Sequence, residues 1–172
     1  VMDDLKLKNG KYIVFTLNRK ALIADKENLG NMIYAMNKAA GNTPIIAVLR
    51  NNAKEVVSQL TADMADIHII DSLPYLEFGY LTAHAMGIIT DSGNVAEEAT
   101  FNNVPCITLN SYTEHIETVK QGSNILVGED ADKLEAAIKD MTGNNWKKCS
   151  LPDRWDGRTA ERIVHILLNM PG

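Results

Sequence analysis

Asp91-Ser92-Gly93-Asn94 stands where an apolar run, Met86 to Thr90, gives way to an amphipathic one beginning near Val95. A turn of this kind at the start of a helix presents backbone N–H groups that lack intrahelical acceptors, together with the positive end of the helix dipole. Gly93 allows close approach to the backbone, and Ser92 adds a hydroxyl donor. Phosphate is the ligand such a turn suits. The same residues also make a good structural turn, and Asn94 with Glu97 three residues later reads as a capping box. Glu98 lies about 100° further round the helix and is not used by that cap. A carboxylate one turn above a phosphate is placed to accept two hydrogen bonds from a ribose diol. Taken alone, it reads as a solvated helix charge.

Other chemistry-bearing residues are scattered. His68, His84, His115 and His165 show no pair at metal-ligand spacing, so no metal site is expected. His84 and His165 fall on apolar helical stretches and read as packing residues. Neither a Gly-x-Ser-x-Gly elbow nor a Walker-type lysine loop occurs. Cys106 and Cys149 make neither a disulfide framework nor a metal motif, and read as reduced thiols of a cytoplasmic protein. Trp146 and Trp155 read as pins for a loop. The formal net charge of −5 argues against a general nucleic-acid binder, yet leaves room for a small anion held by backbone N–H groups. Pro44 to Leu49, the longest plain apolar run, is far too short to span a bilayer, so no membrane association is expected. Val1-Met2-Asp3-Asp4 is acidic and does not read as a signal peptide.

Residues of these kinds must be positioned by a framework, and the hydropathy pattern supplies one. Tyr12–Thr16, Pro44–Val48, Ile67–Ile70, Met86–Thr90, Val104–Thr108 and Asn124–Val127 are short, continuous apolar runs of the kind buried on both faces of a sheet. Between them, Leu29, Met32, Ile33 and Met36 recur at helical spacing. So do Val56, Val57 and Leu60, then Leu134, Ala137, Ile138 and Met141, and finally Ile163, Ile166 and Leu167. Pro74 fits the first turn of a helix capped by Asp71 or Ser72. The alternation predicts one α/β domain over residues 1–172, with a Rossmann-like parallel sheet and helices on both faces. A loop from Gly143 to Gly157 leads to a last helix from about Arg158, so the closing loop and helix occupy about 143–170. In such a sheet, ligands sit beyond the carboxyl ends of the strands. Asn18-Arg19, Arg50-Asn51-Asn52, Asp71-Ser72, Asp91 to Asn94, Asn110-Ser111 and Gly128-Glu129 therefore form one spatial set. Asn18, Asp71, Ser92 and Asn110 are expected at one edge of the sheet.

Asp91-Ser-Gly-Asn-Val-Ala-Glu-Glu-Ala99 resembles the Asp-Ser-Gly-Gly-hydrophobic-Gln-Glu-Glu-Ala signature of the non-hydrolysing UDP-N-acetylglucosamine 2-epimerases. Tyr75-Leu-Glu-Phe78, Val104-Pro105, Thr113-Glu114 with Glu117, Gly122-Ser-Asn124, Leu126-Val-Gly128 and Asp156-Gly-Arg-Thr-Ala-Glu-Arg-Ile163 fall in the same order as in that family. The resemblance runs from about Lys11 to Leu168. It implies one half, the carboxyl-terminal one, of an enzyme built of two Rossmann-like domains in the glycosyltransferase-B arrangement. The implied isomerase interconverts UDP-N-acetylglucosamine and UDP-N-acetylmannosamine by eliminating UDP and adding it back, without a cofactor. Ser92, Gly93 and Asn94 would hold the diphosphate with Arg19, Glu98 the ribose hydroxyls, and Phe78 the uracil ring. The partners implied are a UDP-sugar, the amino-terminal domain and a second copy in a homodimer. Since most of the proton-transfer carboxylates belong to that other domain, the 172-residue chain is expected to be inactive alone. Glu114 and Glu117 are the weak catalytic candidates on this side.

The departures from the family pattern leave function open. Asn18-Arg19 stands for a His-Arg pair, Leu49-Arg50-Asn51-Asn52 for a histidine-bearing segment, and Asn110 for an arginine. His115-Ile116 replaces Arg-Pro, and Asn94 replaces a glycine, tolerated if asparagine takes left-handed backbone angles. One reading is an epimerase domain serving cell-surface polysaccharide synthesis. Others are a non-catalytic nucleotide-sugar binding module and the donor domain of a glycosyltransferase of the same architecture.

Overall fold

Strands apolar at every position need cover on both faces, and alternate side chains divide the cover between them. A computed structural model, describing residues 10–64, 66–110, 117–143 and 146–147, shows how this chain does it. β1 (Ile13–Phe15), β2 (Ile45–Val48), β3 (Ile67–Ile70), β4 (Gly87–Thr90), β5 (Cys106–Thr108) and β6 (Asn124–Leu126) form one six-stranded sheet. Its order is β3-β2-β1-β4-β5-β6, and every pairing is parallel. All six apolar runs are strands; Ile67–Ile70 keeps its full length, and the other five are trimmed where flanking residues leave the ladder.

Ile13, Phe15, Ile45, Ala47, Ile89 and Ile107 point to one face. There they meet α1 (Lys20–Ala24), α2 (Lys26–Ala40), α3 (Asn51–Leu60) and α7 (Ala131–Thr142), through Leu22, Leu29, Met32, Val57, Leu134 and Ile138 among others. Tyr12, Val14, Ile46, Ile88 and Cys106 point to the opposite face, covered by α4 (Tyr75–Ala83) and α5 (Gly93–Phe101). α6 (Glu117–Lys120) precedes β6. The chain is thus Rossmann-like, with helices on both faces. Each helical spacing within the described residues marks a helix whose apolar side is buried, save Leu60, which is half-buried. α1 is too short to show a period and was not anticipated.

Several local expectations are corrected. Neither Asp71 nor Ser72 caps α4: Pro74 is itself the N-cap, and the Asp71 carboxylate pairs with Lys54. His84 is not a packing residue inside a helix. It is the C-cap of α4, half-buried, with Nδ1 2.8 Å from the Tyr80 carbonyl and its ring on that of Tyr80. Trp146 does act as a pin, donating from Nε1 to the Ser123 carbonyl at 2.8 Å and packing on the larger core. Trp155, His165 and the last helix lie outside the described residues. Gly87 brings β4 close to α7, and the Met141 side chain occupies the space that a Cβ there would take.

Two buried acids mark how dry the α4–α5 side is. Burial, with Tyr80 adding to it, pushes the Tyr12 hydroxyl up to about 12. That hydroxyl donates to the Leu81 carbonyl, joining β1 to the end of α4. Burial also pushes the Cys106 thiol up to about 12, against the smaller opposing effects of Thr108 and Lys147, so Cys106 is an inert core residue and no nucleophile. Among the described residues, no helix is long and apolar enough to cross a membrane.

Candidate functional site

The strand order reverses between β1 and β4, and a parallel sheet opens a crevice at such a switch point. The two strand ends are tied by a buried hydrogen bond between the hydroxyls of Thr16 and Thr90, 2.6 Å apart. Beyond it, Asp91 is turned inward and is only 7% exposed. Its Oδ2 accepts the backbone N–H groups of Asn18, at 2.8 Å, and Arg19, at 2.6 Å. The turn after β1 is therefore fastened to the turn after β4. Asp91 Oδ1 is buried and finds no partner among the described residues.

The turn after β5 joins the same knot. Asn110 donates from Nδ2 to the Asp91 carbonyl at 3.3 Å, and its Oδ1 accepts from Arg19 Nη1 at 2.6 Å. Arg19 Nη1 also donates to the Leu109 carbonyl at 3.2 Å, while Nη2 lies 3.3 Å from Glu129 Oε1, in the turn after β6. Glu129 is held in turn by Asn28 of α2, whose Nδ2 donates to its carbonyl at 3.1 Å. Asn18, Ser92 and Asn110 are thus gathered at one edge, as expected of residues following parallel strands. Asp71 follows β3 on the same edge, out at the border of the sheet.

α5 starts earlier than the sequence pattern suggests. The turn consumes only Asp91 and Ser92, with Ser92 extended at φ −104° and ψ 124°, so Gly93 is already helical. Asn94 is therefore no cap, and no Asn94–Glu97 capping box forms. Nor does Asn94 need left-handed angles, since positive φ among non-glycine residues occurs at Asn51 and Asn103 alone in the described chain. The position is helical and exposed, so its backbone does not call for a glycine. The Ser92 N–H donates to Thr90 Oγ1 at 3.0 Å, and its hydroxyl makes no cap bond. Ala96 is the first residue whose N–H finds an acceptor in the helix, at Ser92. The N–H groups of Gly93, Asn94 and Val95 accordingly have no acceptor within the helix.

Glu98 and Phe78 sit on α5 and α4, and they line different hollows. Phe78 faces the strand ends, in a hollow of 260 Å³ shared with Thr16, Asn18, Val48, Arg50 and Ser72. Glu98 faces a groove of 450 Å³ between the two helices, with Tyr75, Leu76, Tyr80 and Phe101. The Tyr75 hydroxyl donates to Glu98 Oε1 at 3.2 Å. Glu117 opens α6, whereas Glu114 and His115 lie outside the described residues. Among the described residues, no group of three or more His, Cys, Asp or Glu side chains is placed to hold a metal.

The sequence alone gives Asp91 no role beyond its turn, and places Asn110 at the sheet edge, in the position of an arginine, without naming the groups it would bond. Tyr75 entered only as part of a motif. The pattern of turn residues after successive strands was the one signal that pointed to Asn110 and Glu129.

The UDP-N-acetylglucosamine 2-epimerase family profile matches residues 1–168. A UDP-N-acetylglucosamine 2-epimerase homolog of Methanococcus maripaludis is 32% identical over 99% of this chain and 48% of its own length. The structure of UDP-GlcNAc 2-epimerase from Methanocaldococcus jannaschii superposes with a TM-score of 0.82 at 34% identity, over 97% of this chain and 48% of that one. A crystal structure of the enzyme from that organism, in complex with UDP-GlcNAc and UDP, gives 0.73 at 36% identity over 92% and 45%. The chain spans about half the length of the curated relatives it matches.

Proposed function

The chain belongs to the UDP-N-acetylglucosamine 2-epimerase family, and from that premise we propose that its sheet edge holds the UDP portion of a UDP-sugar for 2-epimerisation. The observation that carries this reading is the start of α5 at the switch point, where the N–H groups of Gly93, Asn94 and Val95 precede the first helical acceptor and Asp91 fastens the turn to the backbone of Arg19. Such donors suit a diphosphate, because the helix dipole and the hydrogen bonds act on the same oxygens.

In this reading Ser92, Gly93 and Asn94 hold the diphosphate with Arg19, Glu98 accepts the ribose hydroxyls, and Phe78 lies against the uracil. The sugar then projects past the edge of the sheet. Epimerisation requires a proton to leave C2, the C1–O bond to UDP to break, and UDP to add back as a proton returns to the other face of C2. Each proton transfer needs an acid or base about 3 Å from the atom it serves. Glu98 is committed to the ribose, which leaves Glu114 and Glu117 as weak candidates on this chain. Most of the carboxylates would come from a facing domain, with these 172 residues as a single UDP-binding domain of a glycosyltransferase-B-type pair.

The test is calorimetric titration with UDP and with uridine. Saturable UDP binding, at least about tenfold tighter than uridine and weakened by Ser92→Ala, supports the reading; tenfold corresponds to about 1.4 kcal/mol, less than one charge-assisted hydrogen bond commonly contributes. Absence of saturation at high millimolar UDP sinks it.

A second reading, a nucleotide-sugar binding module without chemistry, is favoured by Asn18 and Asn110 and by the Arg19–Glu129 ion pair. Each lowers the positive charge available to a departing diphosphate. Solvent deuterium incorporation at C2 of UDP-N-acetylglucosamine separates the two. The 172 residues alone are expected to show none, and exchange that appears only with a facing epimerase domain supplied supports the enzyme.

A further inference from the structure

The Glu98 carboxylate is not left to solvent. Tyr75, on the first turn of α4 and 74% exposed, reaches across to α5 and donates its hydroxyl to Oε1 at 3.2 Å. Burial does not demand this bond, because the phenol is exposed and the carboxylate only half-buried, so that water can reach both. What the bond changes is the freedom of Glu98. A glutamate on an open helix face spreads over many rotamers, and confining it costs side-chain entropy. Here part of that cost is met before any ligand arrives. A carboxylate offers two oxygens with about four lone-pair directions. Tyr75 takes one of these, leaving Oε2 and the other side of Oε1 for two further donors.

Resting on the reading of Glu98 as the ribose acceptor, we propose that Tyr75 is a positioning residue for the nucleoside. Its hydroxyl fixes the Glu98 carboxylate to receive the 2′- and 3′-hydroxyls together, and so makes the site select ribonucleotides over 2′-deoxyribonucleotides. Tyr75 acts through Glu98 and does not itself touch the sugar. A residue that merely supported the fold would weaken both classes of nucleotide alike, whereas a positioning residue weakens the one with the extra hydroxyl.

The experiment measures UDP and 2′-deoxy-UDP affinities, by calorimetry, for the protein and for Tyr75→Phe, Glu98→Gln and the double variant. The unaltered protein is expected to favour UDP by about tenfold, the loss of one good hydrogen bond to a charged acceptor. Tyr75→Phe should leave 2′-deoxy-UDP within about twofold, and reduce the preference for UDP to about two- to threefold. In the Glu98→Gln background, removing the Tyr75 hydroxyl should change nothing further. Equal losses on both nucleotides, or an undiminished preference in Tyr75→Phe, overturn the proposal while the UDP site stands. Tighter UDP binding by Tyr75→Phe also overturns it, showing that the hydroxyl competes with the ribose. If the unaltered protein binds no UDP, or does not distinguish the two nucleotides, the assignment of Glu98 fails and the role of Tyr75 with it.

Discussion

The crevice between β1 and β4 and the groove between α4 and α5 are neighbours, built on opposite plans. In the crevice, the turns following β1, β4, β5 and β6 are laced through Asp91, Arg19, Asn110 and Glu129, mostly by bonds to backbone groups. Its central side chain, Asp91, is buried. The groove has exposed walls, Tyr75 and Leu76 among them, and the bond from Tyr75 to Glu98 joins its two helices. Where a site is made of strand-end turns, forming the site and folding the sheet are the same event. Where it is made of helix side chains standing in water, the fold is indifferent to them, and recognition can be altered without a cost in stability.

That contrast predicts a wide separation in stability. Asp91→Ala strands two backbone N–H groups that had a charged acceptor, and should destabilise the protein by about 3 kcal/mol. Glu98→Gln and Tyr75→Phe should each stay within about 0.5 kcal/mol. Urea midpoints measure all three. Labelling of Cys106 in a Cys149→Ser background gives a second reading of the same opening, because a thiol raised to about 12 reacts only once the sheet is exposed. If Asp91→Ala unfolds no more readily than Glu98→Gln, the distinction between the two regions collapses.

A smaller effect concerns the link between them. Tyr12 ties β1, which leads into the crevice, to α4, which walls the groove. Its acidity and that of Cys106 are both weakened by burial, from 10.0 and 9.0 to about 12. The sign follows from which state binds the proton more tightly. The folded state holds both protons to higher pH, so the stabilisation is complete below about pH 9 and is lost progressively as pH rises toward 12. Urea midpoints should therefore fall between pH 9 and 11, and Tyr12→Phe should flatten the part of that slope above pH 10. A midpoint independent of pH over this range would show that neither group is as dry as its position indicates.

Much of the fold was legible because each strand declares itself locally: a run such as Pro44–Val48 is apolar at every position, and no solvated element tolerates that. The helices α2, α3 and α7 declare themselves by period, whereas α1, at five residues, has no room for one. The turn at Asp91-Ser92 was legible for the same local reason, since it stands between an apolar run and an amphipathic one. The first residue of α5 was not, because Asn94 has the composition of a cap and only the backbone angles of Ser92 decide the matter. Least visible were the partners of Arg19. Asn110 and Glu129 reach it from turns far along the chain, and nothing in the spacing of residues says which of several turns on one sheet edge will touch. A missing arginine at position 110 reads as lost charge, until the structure shows the asparagine in use as an acceptor.

Glu129 offers the finest test of the crevice as a finished framework. Its ion pair with Arg19 spans 3.3 Å, with the two side chains 42% and 38% exposed, so it contributes little to folding; pairs of this sort are typically worth about 0–1 kcal/mol. Arg19 remains held by Asn110 and the Leu109 carbonyl when Glu129 is neutralised. Glu129→Gln should accordingly leave the urea midpoint unchanged. It does remove a negative charge from the side of the guanidinium on which a diphosphate would depend. At about 6 Å, a unit charge contributes about 0.7 kcal/mol at the dielectric of water and up to about 3 kcal/mol at an effective value near 20, and the exposure of both groups favours the lower end. UDP should then bind about threefold more tightly at low ionic strength, with the gain shrinking as salt screens the charges. Uridine, which carries no phosphate, should bind as before. Weaker UDP binding would mean that Glu129 aims Arg19 rather than competing for it, and an unchanged affinity at every salt concentration would place the diphosphate beyond reach of Arg19.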